Sequence, residues 1–124
     1  MAIDRIPLTD GLEITTHHGD EASIVHLRGR LNVDSSPALR DRLLSMLEGQ
    51  SPKGVVVDFT NVSYVDSSGI ATLIEALRIA RLRQTTLCVQ GLQGRLLHLF
   101  QVSGISALFE KSGCGSVLSV SQES

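Results

Sequence analysis

Tryptophan is absent from this 124-residue chain, and aromatic residues make up 3% of it, with one Tyr and three Phe. So few flat rings leave little material for stacking nucleic-acid bases. Positive charge is not in excess either. Eleven Lys and Arg stand against thirteen Asp and Glu, for a net charge of −2, so the basic face that direct nucleic-acid binding calls for is not expected. The two cysteines, Cys88 and Cys114, are too few for a disulfide framework. Cys88 lies in an apolar run and reads as a small buried hydrophobe. No Cys/His spacing resembles a zinc site. No apolar run approaches the ~20 residues of a membrane span. The opening MAIDRIPLTDG lacks the basic-then-apolar order of a signal peptide, so the expected compartment is the cytoplasm.

Three nucleotide-binding or catalytic signatures are also missing. The chain has neither Gly-x-x-x-x-Gly-Lys-Ser/Thr nor Gly-x-Gly-x-x-Gly, and Gly91-Leu92-Gln93-Gly94 reads as a turn before a helix. The Gly-x-Ser-x-Gly elbow of hydrolases is absent, because Val65-Asp66 precede Ser67. His17, His18, His26 and His98 have no second motif that would join them to Ser67 in a triad. His17 and His18 read as exposed turn residues. No cofactor is expected, and the chain is read as a non-enzyme.

What is present is a globular pattern, with 42% apolar and 19% charged residues. Residues 1–11 read as a leader. Leu12–Thr16 and Ala22–Leu27 alternate as half-buried strands do, and a short polar loop joins them into a hairpin. Asn32 to Pro37 opens a helix, with Asp34 or Ser35 as cap. Leu39, Leu43, Met46 and Leu47 then fall on one face, and Gly49 to Gly54 ends the helix. Val55-Val56-Val57 with Phe59 suits a strand covered on both faces, as in a parallel sheet. A second helix from about Ser67 to Arg83 carries Ile70, Leu73, Ile74 and Leu77 on one face. Arg78, Arg81 and Arg83 read as solvated charges in its later turns. Thr85–Val89 is a further strand, 91–102 a further helix with Leu96, Leu97 and Phe100, and Leu108-Phe109 a short final strand. From Lys111 the chain is Ser/Gly-rich, a short tail. The order β-β-α-β-α-β-α predicts one α/β domain with a mixed, mostly parallel sheet.

The most informative segment is Gly54–Leu77, where a buried strand meets a helix through Asp66-Ser67-Ser68-Gly69. A helix start offers unpaired N–H groups and partial positive charge. Asp and Ser there are ordinary caps, worth ~1 kcal/mol. The flanking residues go further. Asp58-Phe59-Thr60-Asn61-Val62-Ser63-Tyr64-Val65-Asp66-Ser67-Ser68-Gly69 resembles the signature of the STAS domain family, which includes the anti-sigma factor antagonists. Gly29-Arg30-Leu31-Asn32 followed by Ala38 resembles the family's Gly-Glu-Leu-Asp start, and Leu99-Phe100-Gln101-Val102-Ser103-Gly104-Ile105 its later Leu-Phe-x-x-Ser-Gly-Leu. The resemblance implies a STAS domain over 12–110, with helices on one side of a mixed sheet.

It also implies a partner-switching role. By that resemblance Ser67 is the phosphorylation site. The unphosphorylated chain binds an anti-sigma factor that doubles as a serine kinase, and a phosphatase resets the system. Asp66, Ser68, Gly69, Asn32 and Asp34 become partner-binding residues, Gly69 by letting another backbone come close. The expected state is a monomer or weak dimer without a membrane span. Asn32 departs from the family, which often has an acidic residue there; Asp34 is two residues on. The segment 111–124 is short where members often carry a last helix. A non-phosphorylated STAS subunit or scaffold of a lipid-transport or stress-signalling complex is the competing expectation.

Overall fold

The computed structural model describes the backbone of residues 2–9 and residues 11–19, 22–48 and 54–109 in full. In chain order the elements are β1 (Ala2–Thr9), β2 (Leu12–His18), β3 (Ser23–Leu31), α1 (Ser36–Glu48), β4 (Gly54–Val65), α2 (Ser67–Leu82), β5 (Thr86–Gln90), α3 (Gly94–Val102) and α4 (Ile105–Phe109). The strands form one sheet in the order β1-β2-β3-β4-β5. The pairs β1–β2 and β2–β3 are antiparallel, and β3–β4 and β4–β5 are parallel. The expected α/β class and mixed sheet are therefore present.

Alternation decides which face the helices cover. Leu12 and Ile14, Val25 and Leu27, Val55, Val57 and Phe59, and Leu87 and Val89 are all buried. The residues between them stay half-buried or exposed, so one face of the sheet carries the core. The helices supply the other half. Leu39, Leu43 and Leu47 are buried on α1, Leu73, Ala76, Leu77 and Ala80 on α2, and Phe100 on α3. Met46, Ile70 and Ile74 pack against them, partly buried. Phe100 meets Phe59 edge to face at 5.5 Å, which seats α3 on β4.

Several expectations change. Residues 2–9 form an edge strand paired to β2 and are not a loose leader. Pro7 falls where the β1–β2 register shifts between Ile6 and Thr9, a place where a residue without an N–H is tolerated. His17 and His18 lie in β2, half-buried, and His18 Nδ1 sits 3.1 Å from Ser23 Oγ. Leu108 and Phe109 belong to α4, not to a strand. Cys88 points away from the core face of β5, is half-buried, and is engaged in a disulfide, so it is not the buried thiol expected. Cys114, the segment 111–124 and the helix stop at 49–53 lie outside the described residues.

Candidate functional site

The parallel register places Leu31 opposite Val65, so β3 and β4 end at the same edge of the molecule. Two connections leave from there, 32–35 into α1 and Asp66 into α2. They are tied together by backbone and side chain. Asp66 N–H donates to the Leu31 carbonyl at 3.1 Å, and the Ser36 and Ser68 hydroxyls lie 3.2 Å apart.

Asp66 organises the corner. Its backbone is extended (φ −111°, ψ −172°), as an N-cap residue requires, and α2 starts immediately after it. Its Oδ1 accepts from Ser68 N–H at 3.0 Å, Gly69 N–H at 3.3 Å and the Ser68 hydroxyl at 2.5 Å. The Val33 amide of the neighbouring turn also favours the ionised form of this carboxylate. The Ser68 hydroxyl, then the backbone N–H groups, pull the Asp66 carboxyl below its ordinary pKa against the opposing effect of partial burial. Asp66 is thus the cap, and Ser68 is bound by it.

The two serines therefore differ. Ser68 is half-buried with its hydroxyl engaged by Asp66 and Ser36. Ser67 is exposed, and its hydroxyl makes no hydrogen bond among the described residues. Gly69 has a different job from the one expected. It is buried, and a Cβ there would lie 2.8 Å from Leu31 Cγ and 3.0 Å from Val65 Cγ1. Its missing side chain serves the chain's own packing.

The 32–35 turn is held by its own residues. Asn32 Oδ1 accepts from Asp34 N–H at 3.0 Å and Ser35 N–H at 3.1 Å. The buried Ser35 hydroxyl donates to the Arg30 carbonyl at 2.7 Å and accepts from Asn32 N–H. Asn32 at the position of the family's frequent acid is therefore a turn-former. Asp34 is exposed at the lip.

The histidines do not assemble with Ser67. His26 pairs across the strands with Asp58, Nδ1 to Oδ2 at 2.9 Å, five residues upstream of Leu31 on β3. That offset is about 16 Å of strand. Burial pushes the Asp58 carboxyl up, and the Thr60 hydroxyl and amide with His26 pull it further down, for a net lowering. His98 is exposed on α3. An open cavity of about 260 Å³ lies between β4 and the start of α3, lined by Thr60, Ser63, Gln93 and Arg95 among others, away from Ser67. Among the described residues no three His, Cys, Asp or Glu side chains cluster as metal ligands, and no helix is long and apolar enough to cross a membrane.

Sequence reasoning passed over one feature of this corner. Tyr64, the chain's only tyrosine, is 43% exposed, with the Arg30 guanidinium 4.8 Å above its ring. Val33 is 67% exposed in the neighbouring turn. The signal for Val33 is an apolar residue inside the polar run Asn32–Ser36.

Comparison with known proteins agrees with this layout. A family model described as "Mlab, STAS domain" matches residues 14–110. The anti-sigma-B factor antagonist of Listeria monocytogenes is 32% identical over 101 residues, covering 80% of this chain and 85% of that protein. An anti-sigma factor antagonist from Mycobacterium paratuberculosis superposes with a TM-score of 0.69 at 18% identity, covering 87% of this chain and 83% of the other. The Bacillus cell fate determinant SpoIIAA in its phosphorylated form gives 0.63 at 17% identity, with 76% and 86% covered.

Proposed function

The chain belongs to the STAS domain family, and from that premise we propose that it is an anti-sigma factor antagonist switched by phosphate on Ser67. The observation that carries the reading is the contrast between the serines: Ser67 Oγ is exposed and unengaged, Ser68 Oγ is not. The chain acts by binding, as substrate and ligand of other proteins. Unphosphorylated, it binds an anti-sigma factor that is also a serine kinase, and the sigma factor is released. The kinase then uses ATP. Ser67 Oγ attacks the γ-phosphorus, the bond to ADP breaks, and the hydroxyl proton passes to a kinase base. A phosphatase later hydrolyses the ester. The expected setting is the cytoplasm, the expected state a monomer or weak dimer, and no direct nucleic-acid contact is needed.

Electrostatics explains why the phosphate would switch binding. It adds ~−1.5 to −2 charges at neutral pH. The start of α2 tolerates that charge within the chain. A partner surface fitted to a neutral hydroxyl, with Asp66 and Asp34 already facing it, does not. Asp66, Ser68, Asn32 and Asp34 shape this surface, with Gly69 packing beneath it. SpoIIAA, which shares the fold, exists in a phosphorylated form, and that is consistent with the reading.

The test uses the chain, its cognate kinase and ATP. Phosphate is expected on Ser67 by peptide mass spectrometry. Ser67→Ala is expected to keep partner binding and Ser67→Asp to weaken it at least tenfold. Phosphate found only elsewhere, or equal affinities for the two variants, overturns the reading. The alternative is a non-phosphorylated STAS subunit or scaffold of a lipid-transport or stress-signalling complex. Purification with an ATPase and a permease, Ser67 unmodified, would support that instead.

A further inference from the structure

We infer that Val33, Tyr64 and Arg30 form the anchor by which the Ser67 kinase grips this chain, and that its matching surface carries an apolar hollow flanked by a carboxylate. The inference rests on the reading of Ser67 given above and names the part of the partner that meets it.

Five large hydrophobic side chains are exposed among the described residues: Val33, Tyr64, Leu82, Val102 and Leu108. Two of the five stand at the corner that bears Ser67. Val33 lies in the turn whose Asp34 and Ser35 N–H groups are held by Asn32, and Tyr64 lies three residues before Ser67. A β-branched apolar residue has no local use in such a turn, where Gly, Asn, Asp or Ser serve better. Both side chains sit on backbone fixed by hydrogen bonds and strand pairing, so little is left to order when a partner arrives.

Arg30 adds sign to the patch. It lies opposite Tyr64 in the register and stacks on the ring, which holds both in place. Arg30 is exposed and has no carboxylate partner among the described residues. A stacked Tyr–Arg pair beside an apolar side chain is the composition in which interface hot spots are enriched. Charge complementarity then calls for a partner carboxylate at Arg30. Asp34 and Asp66 at the same corner oppose a phosphate-rich occupant such as nucleic acid or an anionic membrane. A protein that transfers phosphate to Ser67 must approach this corner to bonding distance, so the kinase is the occupant to which the patch is assigned.

The test is made in the source cells with Val33→Asp, Tyr64→Ala and Arg30→Glu, reading phosphate occupancy at Ser67 by quantitative mass spectrometry. Each variant is expected to lower occupancy at least fivefold at unchanged protein level. Leu82→Asp is the control, 74% exposed at the far end of α2 and about 22 Å along the helix from Ser67. It is expected to match wild type within twofold. Thermal melts of the purified variants check folding, and Val33→Thr and Tyr64→Leu replace any variant whose melt falls. A photoreactive benzophenone residue at position 64 is expected to crosslink a protein that phosphorylates Ser67 with ATP. Wild-type occupancy in folded variants overturns the inference alone. A wild-type chain that never carries phosphate on Ser67 overturns the parent reading as well.

Discussion

Asp66 does two things with one carboxylate: it caps α2 and engages the Ser68 hydroxyl. Its negative charge is what these donors favour, so its folded pKa lies below the ordinary value of about 3.9. The folded state then binds fewer protons than the unfolded chain around that pH. The resulting stability is complete above the unfolded pKa and is lost as pH falls through the lower folded value. Asp66→Ala should cost about 1–2 kcal/mol near neutral pH, the size of a lost cap. The gap to wild type should close in acid, below about pH 4. Urea unfolding of both proteins across pH measures this. A gap that persists unchanged in acid would mean that side-chain packing, not the ionised cap, carries the effect. Ser67 next door offers nothing comparable, because its hydroxyl makes no hydrogen bond among the described residues.

The element that carries the proposed acceptor, α2, is seated from its first turn. Gly69 lets the helix start lie against Leu31 and Val65, the last residues of the two parallel strands. Gly69→Ala would gain up to about 1 kcal/mol in helix propensity. It would also force a methyl to 2.8 Å from Leu31 Cγ, where Leu31 is fully buried and has no room to retreat. Overpacking of this kind costs about 1–3 kcal/mol, so a net loss of up to roughly 2 kcal/mol is expected. The urea midpoint should fall with the m-value unchanged; a raised midpoint would show that Leu31 can move aside. Elements of this kind were legible in the chain, because α1 and α2 repeat their leucines at helical spacing over several turns. The β2–β3 hairpin and the core of β4 likewise follow from alternation and β-branching. β1 was hidden by Pro7, which breaks an alternating pattern although it sits harmlessly at a register shift on an edge strand. At five residues α4 is too short to show a period. At the site, Asp66, Ser67 and Ser68 are all good caps by type, and only the fold shows which one caps. The Val33 and Tyr64 patch has no period to detect, since exposure of single residues is decided by tertiary packing.

Across the whole molecule, the proposed switch at Ser67 is placed where the core does not feel it. The buried side chains lie between one face of the sheet and the helices, while Ser67 stands at the rim where strands give way to loops. The exposed bidentate pair of Arg40 with Glu75, 2.9 Å at each contact, joins α1 to α2 further along, where solvent screens it. It too is independent of the Ser67 hydroxyl. A negative charge at the first residue of α2 gains about 0.3–1 kcal/mol from the helix N-terminus. Repulsion from Asp66 next door opposes that gain. Two small terms of opposite sign predict that Ser67→Asp leaves stability nearly unchanged. Its melting temperature should stay within about 3 °C of wild type, less than roughly 1 kcal/mol for a domain of this length. The far-UV circular dichroism should be the same. A larger drop, or loss of helical signal, would mean that modification works by undoing α2. An intact fold together with lost partner affinity would place the switch in the interface itself, where an added charge must be desolvated against a surface built for a hydroxyl.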